Sequence, residues 1–189
     1  MRKLAFFLAL VLLFSSASAE SLFDMLFPGE AYEIVYDPSF ELNGFKIDLD
    51  GHYIIYSHTE EQIELGMENY ITISPVNLIE LLELGKDFVG YFESEKDLSE
   101  SLAGLLVGVC HAQQLSTIDT GKNDAGIYYV SFTGKFIDGM YSNLYAINGQ
   151  NAINLVISQT YDFAQAEDCD LEEYLIETTK EIFADISIA

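Results

Sequence analysis

Three alternating segments separated by very short links constrain this chain more than any other feature. Residues 127–133, 140–147 and 152–160 read as strands, and Ile153, Leu155 and Ile157 share one face of the third. Asp138-Gly139 and Asn148-Gly149 stand between them, dipeptides that close tight hairpins. Parallel neighbours need a crossover of about a dozen residues or more, so links this short dictate an antiparallel meander. An apolar sheet face must be covered, and residues 170–186 supply a cover. Asp170 opens a helix there and Glu173 stands at the capping-box position. Leu171, Tyr174, Leu175, Thr178, Ile182 and Ile186 make its apolar stripe.

Ahead of the meander the pattern is mixed. Residues 31–36, 45–49, 52–57 and 70–73 read as strands, with Asp50-Gly51 joining the second and third as a hairpin. Residues 59–67 read as a helical turn. Ser74-Pro75 reads as the start of a helix carrying Leu78, Ile79, Leu81 and Leu82 to a stop at Gly85, with a second short helix over residues 87–92. Residues 97–114 read as the longest central helix. Asp97 and Glu100 have capping-box spacing, and Gly104 and Gly108 share a face suited to close packing on a sheet. The fold class is α+β: an antiparallel sheet with a C-terminal three-strand meander, flanked by helices as an α/β/α sandwich.

The N-terminus serves export. Arg2 and Lys3 precede an unbroken apolar run over residues 4–14, and Ala17-Ser18-Ala19 supplies the small-residue pattern of a cleavage site. Eleven apolar residues rise about 16 Å as a helix, roughly half of a bilayer core, so removal is expected rather than anchoring. No cysteine lies near the cut to carry a lipid. Residues 1–19 are expected to be a cleaved signal peptide, residues 20–30 a tether and residues 31–189 a single globular domain, secreted or held in the cell envelope.

The whole chain carries a formal charge of −23. Cleavage removes its only arginine and one of its lysines, so six lysines face 31 acidic residues and the mature charge is −25. Such a surface repels phosphate backbones and anionic lipid. Nucleic acid and anionic membranes are excluded as partners. A cationic protein, a small ligand or a divalent metal remains.

The order of elements is strands, a central helical section, a three-strand meander over residues 127–160 and a closing helix over residues 171–186. It resembles the PsbP-like α/β/α sandwich, named for a subunit of the oxygen-evolving complex, and is similar to the related Ran-binding proteins. The resemblance spans residues 31–186. It implies a non-catalytic binding or scaffold role and carries no binding residue across, because no shared surface motif is present.

Tests for chemistry return little. Export permits a Cys110–Cys169 disulfide. The contexts differ, however: Cys110 ends the apolar run LLVGVC, whereas Cys169 sits among acids. His52 and His58 are six residues apart on a strand, which places them on one face about 20 Å apart, too far to share a metal. The weak calcium candidates are Asp119, Asn123 and Asp124, with further oxygen-rich turns at Asp48 and Asp50 and at Glu167, Asp168 and Asp170. No cofactor is otherwise indicated. No GxSxG elbow, SxxK pair, phosphate loop or HExxH is present. Tyr128, Tyr141 and Tyr145 alternate along two strands, where they either face a partner or sit half-buried. The sequence therefore describes an exported, acidic binding or scaffold domain. The alternatives are a hydrolase with a site assembled from scattered residues, or a calcium-dependent surface protein.

Overall fold

The meander is present and is one strand longer than expected. The computed structural model describes residues 34–66, 69–85, 87–113 and 115–189, so the leader and tether lie outside the described residues. Strands β1 (Ile34–Tyr36), β2 (Ser39–Leu42), β3 (Phe45–Asp48), β4 (His52–His58), β5 (Ile63–Gly66) and β6 (Tyr70–Asn77) come first. Helix α1 (Leu78–Leu81), a 3-10 turn (Phe88–Tyr91) and helix α2 (Glu95–Ala112) follow. The chain then forms β7 (Ser116–Lys122), β8 (Tyr128–Phe136), β9 (Gly139–Asn148) and β10 (Asn151–Thr160). It closes with α3 (Tyr161–Glu167), α4 (Leu171–Ala184) and β11 (Ile186–Ile188).

Among the described residues eight strands form one antiparallel sheet in the order β1-β4-β5-β6-β10-β9-β8-β7, and β11-β3-β2 form a smaller one. The period-two pattern sorts side chains to the two faces of the large sheet. Ile63, Leu65, Ile71, Ile73, Leu144, Ala146, Ile153, Leu155 and Ile157 point to one face, where α4 and the small sheet cover them with Leu175, Phe183, Phe45 and Ile47. Val130, Phe132, Tyr145, Ile147 and Ala152 point to the other, beneath Leu98, Leu102, Leu106 and Cys110 of α2. Helices on both faces of an antiparallel sheet make the expected α/β/α sandwich.

Local signals for α4 hold: Asp170 Oδ1 accepts from the backbone N–H groups of Glu172 and Glu173 at 3.0 and 3.1 Å. Other expectations are corrected. Asp50-Gly51 does not join a hairpin, because β3 pairs with β2 and β11 whereas β4 pairs with β1 and β5. The turn crosses between sheets, tied down by Gly51 N–H donating to Asp37 Oδ1 at 2.7 Å. Part of the expected helical turn at residues 59–67 is β5. Ser74-Pro75 does not start a helix but continues β6, and the helix begins after Asn77, whose Oδ1 accepts from Ile79 and Glu80. Proline is tolerated here because beyond Ile73 the strand has β10 alone as its neighbour. Helix α2 is capped by Ser94, whose Oγ accepts from the Asp97 N–H and donates to the Asp97 carboxylate, not by Asp97 with Glu100. Gly104 and Gly108 do not pack on the sheet. A Cβ at either would meet nothing within 4 Å.

The glycines separate into removable and required ones. A Cβ at Gly139 would run into the Gln159 carbonyl and the Thr160 backbone across the hairpin. Gly139→Ala is therefore expected to destabilise by about 1–3 kcal/mol. Gly104→Ala, in open space within a helix, is expected to stabilise by about 0.5–1 kcal/mol. Urea unfolding of the two variants checks this, and shifts of the same sign would contradict the packing described.

Candidate interaction surface

Coverage of the large sheet is uneven. The small sheet covers one face of β4 and β5, and the helices make their main sheet contacts with β6 to β10. The other face of β1, β4 and β5 has no cover among the described residues. Strand pairing builds a cross-strand row there: Ile34 lies opposite Ile54, Ile54 opposite Gly66, Gly66 opposite Tyr70 and Tyr70 opposite Ser158. Tyr36 and His52 form the next pair, with ring centroids 4.3 Å apart. Ile34 is 51% exposed, Tyr36 66% and Tyr70 44%.

A bulge completes this surface. The β4–β5 register shifts between Ile55 and Ser57, at Tyr56. The Tyr56 ring lies over Gly66, where a Cβ would come within 2.7 Å of it, and stacks on Tyr70 with centroids 6.1 Å apart. Glycine is required at position 66 because the ring occupies the space of its side chain. The Tyr70 hydroxyl sits against Glu64 and Thr72, and burial pushes its pKa up to about 12, with the Glu64 charge adding to the shift.

The bulge also separates the histidines. His58 pairs with Ile63 and turns to the covered face, with its ring 5.0 Å from that of Phe40. His52 stays on the open face. The expectation that both share a face fails because one extra residue inverts the alternation. His111 is exposed at the end of α2.

Several residues of the oxygen-rich turns have structural partners. Asp119 Oδ2 pairs with Lys180 Nζ at 2.6 Å and accepts from the Tyr129 hydroxyl at 3.1 Å. Asn123 Nδ2 donates to the carbonyls of Phe183 and Ile186, and its Oδ1 accepts from Ile127 N–H. Asp119 and Asn123 are thus occupied in holding β7 and the turn after it against the end of α4, and Asp124 is exposed in that turn. Asp48 is held by Lys46 and Ser39, Asp170 caps α4, and Asp168 ends α3 in a left-handed conformation. Among the described residues no three His, Cys, Asp or Glu side chains gather to hold a metal.

Cys110 and Cys169 are both free. Cys110 is buried on the α2 side of the large sheet and Cys169 follows α3 near the α4 side, so the sheet separates them. Tyr128, Tyr141 and Tyr145 share the α2 face. Tyr145 is buried, Tyr141 is half-buried over Gly134, and Tyr128 reaches Glu100 at 3.3 Å. Of the two readings open for these tyrosines, the structure favours sheet packing over display to a partner. Sequence reasoning missed the open face because Tyr36, Tyr56 and Tyr70 come from three strands whose side-by-side order no local signal announces.

Two carboxylates respond to acid. Hydrogen bonds from Thr117 and Thr133 hold Glu172 below its ordinary value of 4.5. Burial works to raise Asp119, but the Lys180 ammonium beside it prevails and holds it below 3.8. A carboxylate depressed in the folded state contributes stability that is present above its unfolded pKa and lost as pH falls through its folded one. The urea midpoint is therefore expected to fall on acidification below about pH 4.5, the ordinary value for Glu172. Glu172→Gln, which keeps an acceptor but no charge, flattens that slope. Denaturation at neutral and acidic pH checks it, and an unchanged slope would remove Glu172 from this role.

No protein-family model matches the chain, and no curated protein matches it. Among solved structures it is similar to the solution structure of cyanobacterial PsbP (CyanoP) from Synechocystis sp. PCC 6803, at 10% sequence identity and a TM-score of 0.43, over 78% of this chain and 88% of that one.

Proposed function

We propose that the chain is an exported, non-catalytic binding domain that docks a basic protein partner on the open face of β1, β4, β5 and β6. The supporting observation is the exposure of Ile34, Tyr36 and Tyr70 on that face, 51%, 66% and 44% respectively. Tyrosine rings give large contact area at low entropic cost, and their faces attract Lys and Arg. The flanking charge is negative: Glu60 and Glu61 occupy the β4–β5 turn, Glu64 lies beside Tyr70, and Asp37 and Asp50 border β1. From residue 34 to residue 77 the only lysine is Lys46, which belongs to the small sheet and pairs with Asp48 at 2.5 Å. Aromatic faces with acidic neighbours fit a partner that presents cationic side chains. The leader pattern of residues 1–19 supports action outside the cytoplasm.

A photoreactive benzoylphenylalanine at position 36 or 70, introduced in the producing cells, tests the reading. Position 105, exposed on α2, is the comparison. Discrete adducts are expected from positions 36 and 70, weakened by raised salt, and not from position 105. Equal labelling from position 105, or none from 36 and 70, would overturn the proposal.

A further inference from the structure

Strand β7 forms the edge of the large sheet opposite β1 and pairs with β8 alone. None of residues 117–122 is buried, and Ile118 reaches the α2 cluster only half-buried. Strand β8, by contrast, buries Val130, Ser131, Phe132 and Thr133. A groove of about 340 Å³ separates β7 from α2, with Ala103, Gly104 and Val107 on one side and Thr120, Gly121 and Lys122 on the other. Apolar burial therefore does little to seat this strand.

Its side-chain ties are polar and lie on the α4 side. The Glu172 carboxylate, in the first turn of α4, accepts from the hydroxyls of Thr117 on β7 and Thr133 on β8, the latter at 2.7 Å. Asp119 pairs with Lys180 of α4 at 2.6 Å and accepts from the Tyr129 hydroxyl. Asn123, just after β7, donates to the carbonyls of Phe183 and Ile186. These ties work against the backbone. Thr117 has a φ of +43°, a left-handed conformation that β-branched residues seldom adopt, and the β7–β8 register shifts between Ser116 and Asp119. Such strain persists only while the surrounding contacts impose it.

The groups that face the two carboxylates set their response to acid. Hydrogen bonds from Thr117 and Thr133, with the Lys135 charge on β8, hold Glu172 below 4.5 against burial and the Asp170 charge. Burial works to raise Asp119, but Lys180 and the Tyr129 hydroxyl prevail and hold it below 3.8. Seating is therefore supported above those ordinary values and is lost as pH falls through the depressed ones.

We infer that β7 is a releasable edge strand, latched to α4 by the carboxylates of Glu172 and Asp119, and that protonating them detaches β7 while the rest of the fold stands. Release makes β8 the edge of the sheet and leaves its outer row of backbone groups open to pairing. The latch lies at the edge opposite the docking face and does not depend on it.

Hydrogen exchange of the mature protein, read amide by amide near neutrality and at about pH 3 and corrected for intrinsic rates, is the test. Acid is expected to lower the protection of the β8-bonded amides of β7 about tenfold or more relative to those of β10. Near neutrality, Glu172→Gln and Asp119→Asn are expected to lower protection in β7 and not in β10. Glu173→Gln, an exposed neighbour on α4, is expected to leave both unchanged. If a variant fails to fold, the acid series of the parent decides alone. Equal loss of protection in β7 and β10, protection in β7 that acid leaves unchanged, or the same response from Glu173→Gln as from Glu172→Gln would each overturn the inference.

Discussion

Everything in this structure depends on burying both faces of the central strands β9 and β10. Leu144 and Ala146 point to α4, while Tyr145 and Ile147 point to α2, and none is more than 9% exposed. Antiparallel sheets often leave one face to water. Here neither face can be left so, because each full burial of a residue such as Leu144 or Ile147 contributes about 1.5–3 kcal/mol. Two covers on opposite sides follow, and with them the sandwich.

The same demand weakens toward the β1 edge. Phe45 and Ile47 from the small sheet bury Ile63, Leu65, Ile71 and Ile73, so these strands are anchored from one side. Their other side is left with residues that tolerate partial exposure, chiefly tyrosine, whose ring buries against neighbours while its hydroxyl meets water. The Tyr56 bulge is part of this arrangement. It lays a ring over Gly66 and widens the aromatic row, and it moves His58 to the opposite face, beside Phe40, where it stays exposed. One extra residue thus decides that the two histidines lie on opposite faces of the sheet.

The legible parts of the fold were those whose signals are local. Asp170 and Glu173 marked α4, and glycine-bearing turns marked β8, β9 and β10, because caps and tight turns are specified by residues within a few positions. Asp50-Gly51 misled because partner choice there is not local: Phe45 and Ile47 gain more from burial under the large sheet than from pairing with β4. Pro75 misled for a related reason, since its tolerance in β6 depends on where β5 ends. The open face was illegible because it is assembled from strands adjacent only in space.

Charge and aromatics have separate tasks. Net charge this negative opposes compaction, and solvent-screened pairs such as Lys46–Asp48 and Lys180–Asp119 return little against it. The apolar core must therefore hold the chain against its own field. Acidic residues are spread over the whole surface, so the field draws a basic partner without telling it where to land. Screening confines that attraction to about 8 Å at physiological salt. Position is then decided by the aromatic row, which gathers Tyr36, Tyr56 and Tyr70 on one face. On this reading the charge governs the rate of encounter, and the uncovered strands govern the site.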